Sequence, residues 1–167
     1  MKQYIISTIF SSKKLNLVYF EDNKKIKEEE ITLNDLRSNI DTASIIYFLL
    51  DSSKISTFNF KKEESETKEK YEARFFADKE DILVNDISNQ KFFSFSENNN
   101  DLVFLIDKEY YENIQNELSK LNNKIFLIPE YFLLSEKVKD LSVKTKNKLL
   151  IKLPDGTMKV LVEGHRR

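Results

Sequence analysis

"EARFFADKEDILVNDISNQKFFSF", residues 72–95, opens as a helix and closes as a strand. Tyr71, Phe75, Ile82 and Leu83 recur at helical spacing. That pattern breaks near Ala77-Asp78, where Asp78 is expected to cap a second turn. From Lys91 the residues change to KFFSF, a phenylalanine-rich strand. A helix running into a strand points to an α/β domain.

Upstream, Tyr4–Phe10 and Leu15–Phe20 read as two strands of a hairpin across Ser11-Ser12-Lys13-Lys14. Lys25–Ile31 reads as a third, polar strand near an edge. TLNDLRSNI supports a short helix capped at Thr32 or Asn34. SIIYFLL, residues 44–50, is apolar at every position but the first and reads as a central strand. KISTFNFK follows, with Phe58 and Phe60 on one face. The nearly all-charged run Lys61–Glu72 has acids and bases at i, i+3 and i+4 spacing. It reads as a solvated helical face whose ion pairs contribute about a few tenths of a kcal/mol each.

Downstream, KFFSF and LVFLID are strands joined across Ser96–Asp101. Residues 108–121 form an amphipathic helix with Tyr111, Ile114, Leu118 and Leu121 as its buried stripe. KIFLIPE is a strand ended by Pro129, and YFLLSEKV a helix after it. The last segment, KLLIKLPDGTMKVLVEG, is a hairpin around Asp155-Gly156. The expected order is βββαββ, helix, ββαβα, ββ, with no repeat at a solenoid period.

Composition excludes several chemistries. The 167 residues contain no cysteine, so disulfides, thiolate zinc sites and thiol catalysis are absent, which fits a cytoplasmic home. The formal net charge is −1 with both signs interspersed, which leaves no field for nucleic acid. No apolar run reaches the roughly 18 residues of a membrane span. Two glycines, Gly156 and Gly164, cannot build a P-loop or dinucleotide fingerprint. The one histidine, His165, stands third from the C-terminus and reads as tail rather than as a triad base.

Several of these segments together resemble the cytoplasmic domain of the type II secretion system L proteins. The match runs from SIIYFLLDSSKISTFNF through ARFFADKEDILVNDISNQKFFSF, with Phe75 and Phe76, Glu80 and Asp81, then Gln90 and Phe92 as its landmarks. LVFLIDKEYYENIQNEL and IFLIPEYFLL complete it. The resemblance implies an actin-like (ribonuclease-H-like) mixed sheet with flanking helices. It places the first half of that fold, in one body or two lobes, at 1–144, and the hairpin opening a truncated second half at 145–167. It also implies the cytoplasmic face of a bacterial inner membrane, with any membrane span outside this chain. The implied function is that of a non-enzymatic adaptor. Its partners would be the N-terminal domain of a secretion ATPase, other inner-membrane platform proteins and a second copy of the chain.

An actin-like fold raises ATP binding, as in a filament-forming pilus or division protein or a small-molecule kinase. Two hairpin loops must then cradle phosphates. The first, Ser11–Lys14, offers neither Asp nor Gly. The second, Pro154–Thr157, is accounted for by a plain β-turn. A two-metal nuclease needs converging carboxylates, and YIISTIF carries none. Asp51 and Asp107, at strand ends, read as turn residues, and Glu130 as an acid at a helix start. No cofactor, metal or catalytic residue is therefore expected. The surface expected to meet a partner is Arg74, Phe76, Asp78, Lys79 and Glu80, where charge lies beside paired phenylalanines. Adjacent helical residues point about 100° apart, so Phe75 and Phe76 cannot both face inward.

Overall fold

The computed structural model describes residues 1–9, 13–81, 87–97, 100–130, 142–145, 148–152 and 158–162. The chain divides into two compact units, Met1–Ser53 with Ile114–Arg167, and Lys54–Asn113.

The first unit is built on a five-stranded sheet. β1 (Lys2–Thr8), β2 (Lys14–Glu21) and β3 (Lys24–Thr32) form an antiparallel meander. β4 (Ile45–Leu50) then pairs parallel to β1, and β8 (Lys124–Pro129) parallel to β4, giving the order β3-β2-β1-β4-β8. β1 starts and stops two residues earlier than its apolar run suggests. The β2–β3 turn places Asp22 and Asn23 at φ 51° and 66°, a left-handed pair suited to a two-residue hairpin and to these two residue types.

β4 lies between two parallel neighbours, as a strand apolar on both faces should. Ile46 and Phe48 are fully buried beside Ile6 and Leu17 on the same face of the sheet. Leu49 and Leu50 are buried too. The expected helix at TLNDLRSNI is a 3₁₀ turn, Leu33–Asp35, running into a single α-turn, α1 (Leu36–Asn39), whose Leu36 is buried. Thr32 holds the N-cap position, but its hydroxyl donates to Asp35 Oδ2 at 2.6 Å instead of accepting from the backbone. At the entry to β8 the Asn123 amide donates to the Asp41 and Ser44 carbonyls, each at 2.9 Å. This ties the start of β8 to the start of β4. A separate antiparallel sheet, in the order β11-β10-β9, follows in the chain. β10 (Lys148–Lys152) and β11 (Met158–Val162) make the expected hairpin. β9 (Ser142–Thr145) is a strand the sequence reading did not include. The expected helix YFLLSEKV and the turn at Asp155-Gly156 lie outside the described residues.

The second unit is an antiparallel three-stranded sheet, β5-β7-β6, with α2 (Lys68–Lys79) packed on it. β5 spans Ile55–Asn59, β6 Gln90–Glu97 and β7 Asn100–Asp107. β6 and β7 remain paired out to Glu97 opposite Asn100, so only residues 98–99 join them, not the longer Ser96–Asp101 loop expected. Tyr71 and Phe75, four apart on α2, are buried with Val103 and Leu105 of the central strand. Phe58, Phe60, Phe76 and Phe92 close around them, several edge-to-face, including Phe75 on Phe58 at 5.2 Å between ring centroids.

The charged run differs from its reading. α2 begins only at Lys68, after the N-cap Thr67, whose hydroxyl accepts from Lys70 N at 3.3 Å. Residues 61–67 form an irregular strap with Ser65 at φ 60°. Asp101 holds its near end, accepting from Lys62 N at 2.8 Å through Oδ2. Arg74 holds its far end: Nε and Nη2 each donate to a Glu66 carboxylate oxygen at 2.8 Å, and Nη2 also to the Lys61 carbonyl at 2.7 Å. The guanidinium carbon lies 4.4 Å from the Phe60 ring centroid. The Tyr71 hydroxyl donates to the Phe60 carbonyl. Asp78 lies inside α2, which runs unbroken through Ala77-Asp78 to Lys79, so it is not an N-cap; Ile82 and Leu83, where the second turn was expected, lie outside the described residues.

α3 (Lys108–Leu118) starts where Asp107 Oδ1 accepts from Tyr110 N at 2.9 Å, and the boundary between the units falls inside it. Of the expected stripe Ile114 and Leu118 are buried, whereas Tyr111 is half-buried and Leu121 lies past the helix end.

Leu118→Ala is therefore expected to lower unfolding free energy by about 2–5 kcal/mol in urea denaturation. Ile26→Ala, on an exposed side chain of β3, should stay within about 0.5 kcal/mol.

The bidentate hydrogen bond from Arg74 holds the Glu66 carboxyl down to about 2, against an ordinary value of 4.5. A depressed carboxylate contributes its stability above the unfolded value and loses it as pH falls toward the folded one. Between wild type and Glu66→Gln, the difference in urea midpoint should hold constant above pH 4.5. It should shrink from there toward pH 2. A difference independent of pH would mean that the ion pair is not what holds the strap.

Candidate functional site

The five residues expected to meet a partner occupy the last two turns of α2 and its C-cap, but they do not form one uniform patch. Arg74 belongs to the strap: its side chain is two-thirds covered and engaged by Glu66, Lys61 and Phe60. Pairing with Glu66 also raises its affinity for its proton. Phe76 is half-buried, with its ring centroid 5.4 Å from that of Phe75 and 5.8 Å from that of Phe92. Phe75 itself is wholly buried. One phenylalanine of the pair thus faces in and the other is partly covered, as a 100° step requires.

Asp78 and Glu80 are exposed, as is Asp81 just beyond. Lys79 is half-buried, with Nζ 3.3 Å from Asp78 Oδ2 and 5.9 Å from the Phe60 ring. The basic members of the set are therefore drawn toward the aromatic cluster while the acidic members stand in solvent. Sequence reasoning missed Glu66, the residue that settles what Arg74 does. It lies eight positions before Arg74 and outside the helix, so no i, i+4 pattern connects the two.

The strand-end carboxylates separate in the same way. Asp51 is buried after β4, and its Oδ1 accepts from Ser53 N at 3.0 Å and from Ser53 Oγ at 2.8 Å. Asp107 caps α3. Asp51 is the turn residue expected, and Asp107, also expected in a turn, is a helix cap. Glu130 is wholly buried directly after Pro129, which pairs with Leu50. Asp51 and Glu130 thus follow directly paired residues at the carboxyl ends of adjacent parallel strands, the end of an open α/β sheet where ligands usually sit. Among the described residues no three carboxylate or imidazole groups gather closely enough to hold a metal ion. No helix among them is long and apolar enough to cross a membrane.

No protein-family model matches the sequence, and no curated protein sequence does. Solved structures do match in fold. The cytoplasmic domain of EpsL, an inner membrane component of the type II secretion system of Vibrio cholerae, superposes with a TM-score of 0.73. The match covers 97% of this chain and 71% of that one at 11% identity. A chain of the PilM–PilN type IV pilus biogenesis complex matches with a TM-score of 0.54 at 11% identity, over 94% of this chain and 60% of its own length. A Bacteroides thetaiotaomicron protein with an actin-like ATPase fold reaches 0.44 at 13% identity over 96% and 70% of the two chains, too low to weigh. The mixed five-stranded sheet with flanking helices is the actin-like fold that the sequence resemblance implied, and it is the fold of the EpsL cytoplasmic domain.

Proposed function

We propose that this chain is a non-enzymatic adaptor in the assembly platform of a type II secretion or type IV pilus-like system. In this reading it links a cytoplasmic secretion ATPase to the inner-membrane complex from the cytoplasmic face. The observation that carries it is the likeness, over nearly the whole chain, to the cytoplasmic domain of an inner-membrane secretion component. The likeness to a chain from a pilus biogenesis complex supports it. So does a composition with two glycines, one histidine and no cysteine.

The docking surface proposed is the exposed end of α2, with Phe76 as apolar anchor and Asp78 and Glu80 as its charges. Arg74 does not serve to test it, because reversing that charge would release the strap.

A pull-down against the N-terminal domain of the host's secretion ATPase tests the reading. Wild type should retain the ATPase, and Asp78→Lys with Glu80→Lys should lose it without a fall in urea midpoint. Retention by the folded variant would move the docking surface elsewhere. Failure of the wild type to retain any secretion or pilus ATPase would remove the adaptor reading. The ATP-binding alternative is tested by calorimetry with ATP and magnesium, where no heat of binding is expected and low-micromolar affinity would favour it.

A further inference from the structure

β6 is an edge strand: among the described residues it pairs on one side only, with β7. An unpaired edge is a template for another strand, and chains that keep an edge single usually load it with charge. β3, an edge of the five-stranded sheet, does so. Six of its nine residues, Lys24, Lys25, Lys27, Glu28, Glu29 and Glu30, are charged, and its pairing is bulged opposite Tyr19/Phe20. β6 does the reverse. From Phe92 to Ser96 it reads FFSFS, with no charge, no proline and no bulge in its register with β7.

The two faces of β6 differ, and together they define what fits beside it. Side chains alternate between faces along a strand. Phe92 turns toward α2 and joins the cluster of Phe75 and Phe76. Ser94 and Ser96 follow on that face, small and exposed. Lys91, Phe93 and Phe95 share the other face. The Phe93 ring centroid lies 5.2 Å from that of Tyr111 on α3, yet Phe93 and Phe95 remain 36% and 42% exposed. Lys91 makes no ion pair among the described residues.

A strand laid against this edge meets a fixed order of demands. Antiparallel pairing, the mode of β5, β7 and β6 themselves, sets its residues opposite Phe95, Ser94, Phe93, Phe92 and Lys91 in turn. Apolar side chains belong opposite Phe95 and Phe93, a small hydroxyl opposite Ser94, and an acid opposite Lys91. Such apolar, hydroxyl and opposite-charge pairs are the cross-strand contacts that stabilise a ladder. We propose that β6 is a docking edge for an extended segment of a partner protein reading apolar–polar–apolar–polar–acid, which adds to the sheet as a fourth, antiparallel strand. The acidic end of α2 calls for a basic partner surface, so the two surfaces of this unit take different segments.

The test uses the full chain and a fluorescently labelled peptide, SGITVTEGS, whose ITVTE runs opposite Phe95 to Lys91. Fluorescence anisotropy should show saturable binding. The charge-reversed peptide SGITVTKGS should bind about two- to thirtyfold more weakly, as one cross-strand pair turns from attraction to repulsion. Lys91→Glu, checked for folding by circular dichroism, should invert that preference. An added strand turns every second amide toward the edge it joins. N-methylation of one alternate set of peptide amides should therefore abolish binding, and N-methylation of the other set should spare it. Absence of saturable binding by either peptide overturns the proposal. So do equal affinities of wild type for the two peptides, a preference that Lys91→Glu leaves unchanged, and equal effects of the two methylation patterns.

Discussion

The parallel pairing of β4 with β1 on one side and β8 on the other sets the plan of the chain. A hairpin cannot join parallel neighbours; each pair needs a crossover of a dozen residues or more. Between β1 and β4 that crossover contains the β2–β3 hairpin and α1. Between β4 and β8 it contains the whole second unit together with the rest of α3. The second unit is thus a crossover connection grown into a body with its own core. A body of its size buries only about 60% of its unfolded surface. It relies on aromatic area concentrated at Tyr71 and Phe75, and on the Glu66–Arg74 clamp that closes the strap beside them.

What the sequence made legible follows the same physics. A strand apolar on both faces can only be central, and β4 is. Short hairpins and a long amphipathic helix announce themselves through period and turn chemistry, and the meander and α3 were found on those grounds. The run 61–67 was misread because charges at helical spacing also suit an irregular segment held by long-range partners. Periodicity of polar residues records exposure, not conformation. β9, four residues reading Ser-Val-Lys-Thr, is too short and too polar to show alternation. Its pairing with β10 decides its conformation. The mixture of charge and apolar surface at Arg74–Glu80 was legible. The assignment of Arg74 to Glu66 was not, because it depends on where the strap folds back.

Three carboxylates show how the chemistry-bearing groups are spent. Asp51 closes a turn on Ser53, Asp107 caps α3 in the second unit, and Asp41 holds Lys2 at 2.7 Å and accepts from Ala43 N at 2.9 Å. The hydrogen bond from Lys2 lowers the Asp41 carboxyl below its ordinary value. These acids are committed to local structure. The positions of Asp51 and Asp107 at strand ends therefore express turn and cap geometry, which is what strand ends of any α/β domain require.

The clamp also determines the sign of the surface left at the end of α2. It draws Arg74 onto Glu66, and Lys79 lies beside Asp78 and the Phe60 ring. Asp78, Glu80 and Asp81 stay exposed at the helix's C-terminal end, where the macrodipole disfavours negative charge by about 0.3–1 kcal/mol per residue. A helix optimised only for stability would carry lysine at these positions. The acids there cost the fold something and return to it only the exposed Asp78–Lys79 ion pair. An acidic end next to a half-covered phenylalanine is suited to a partner that brings basic residues around an apolar pocket, with long-range attraction speeding encounter. Salt should then weaken that encounter mainly through its on-rate, leaving the aromatic anchor to set how long the complex lasts.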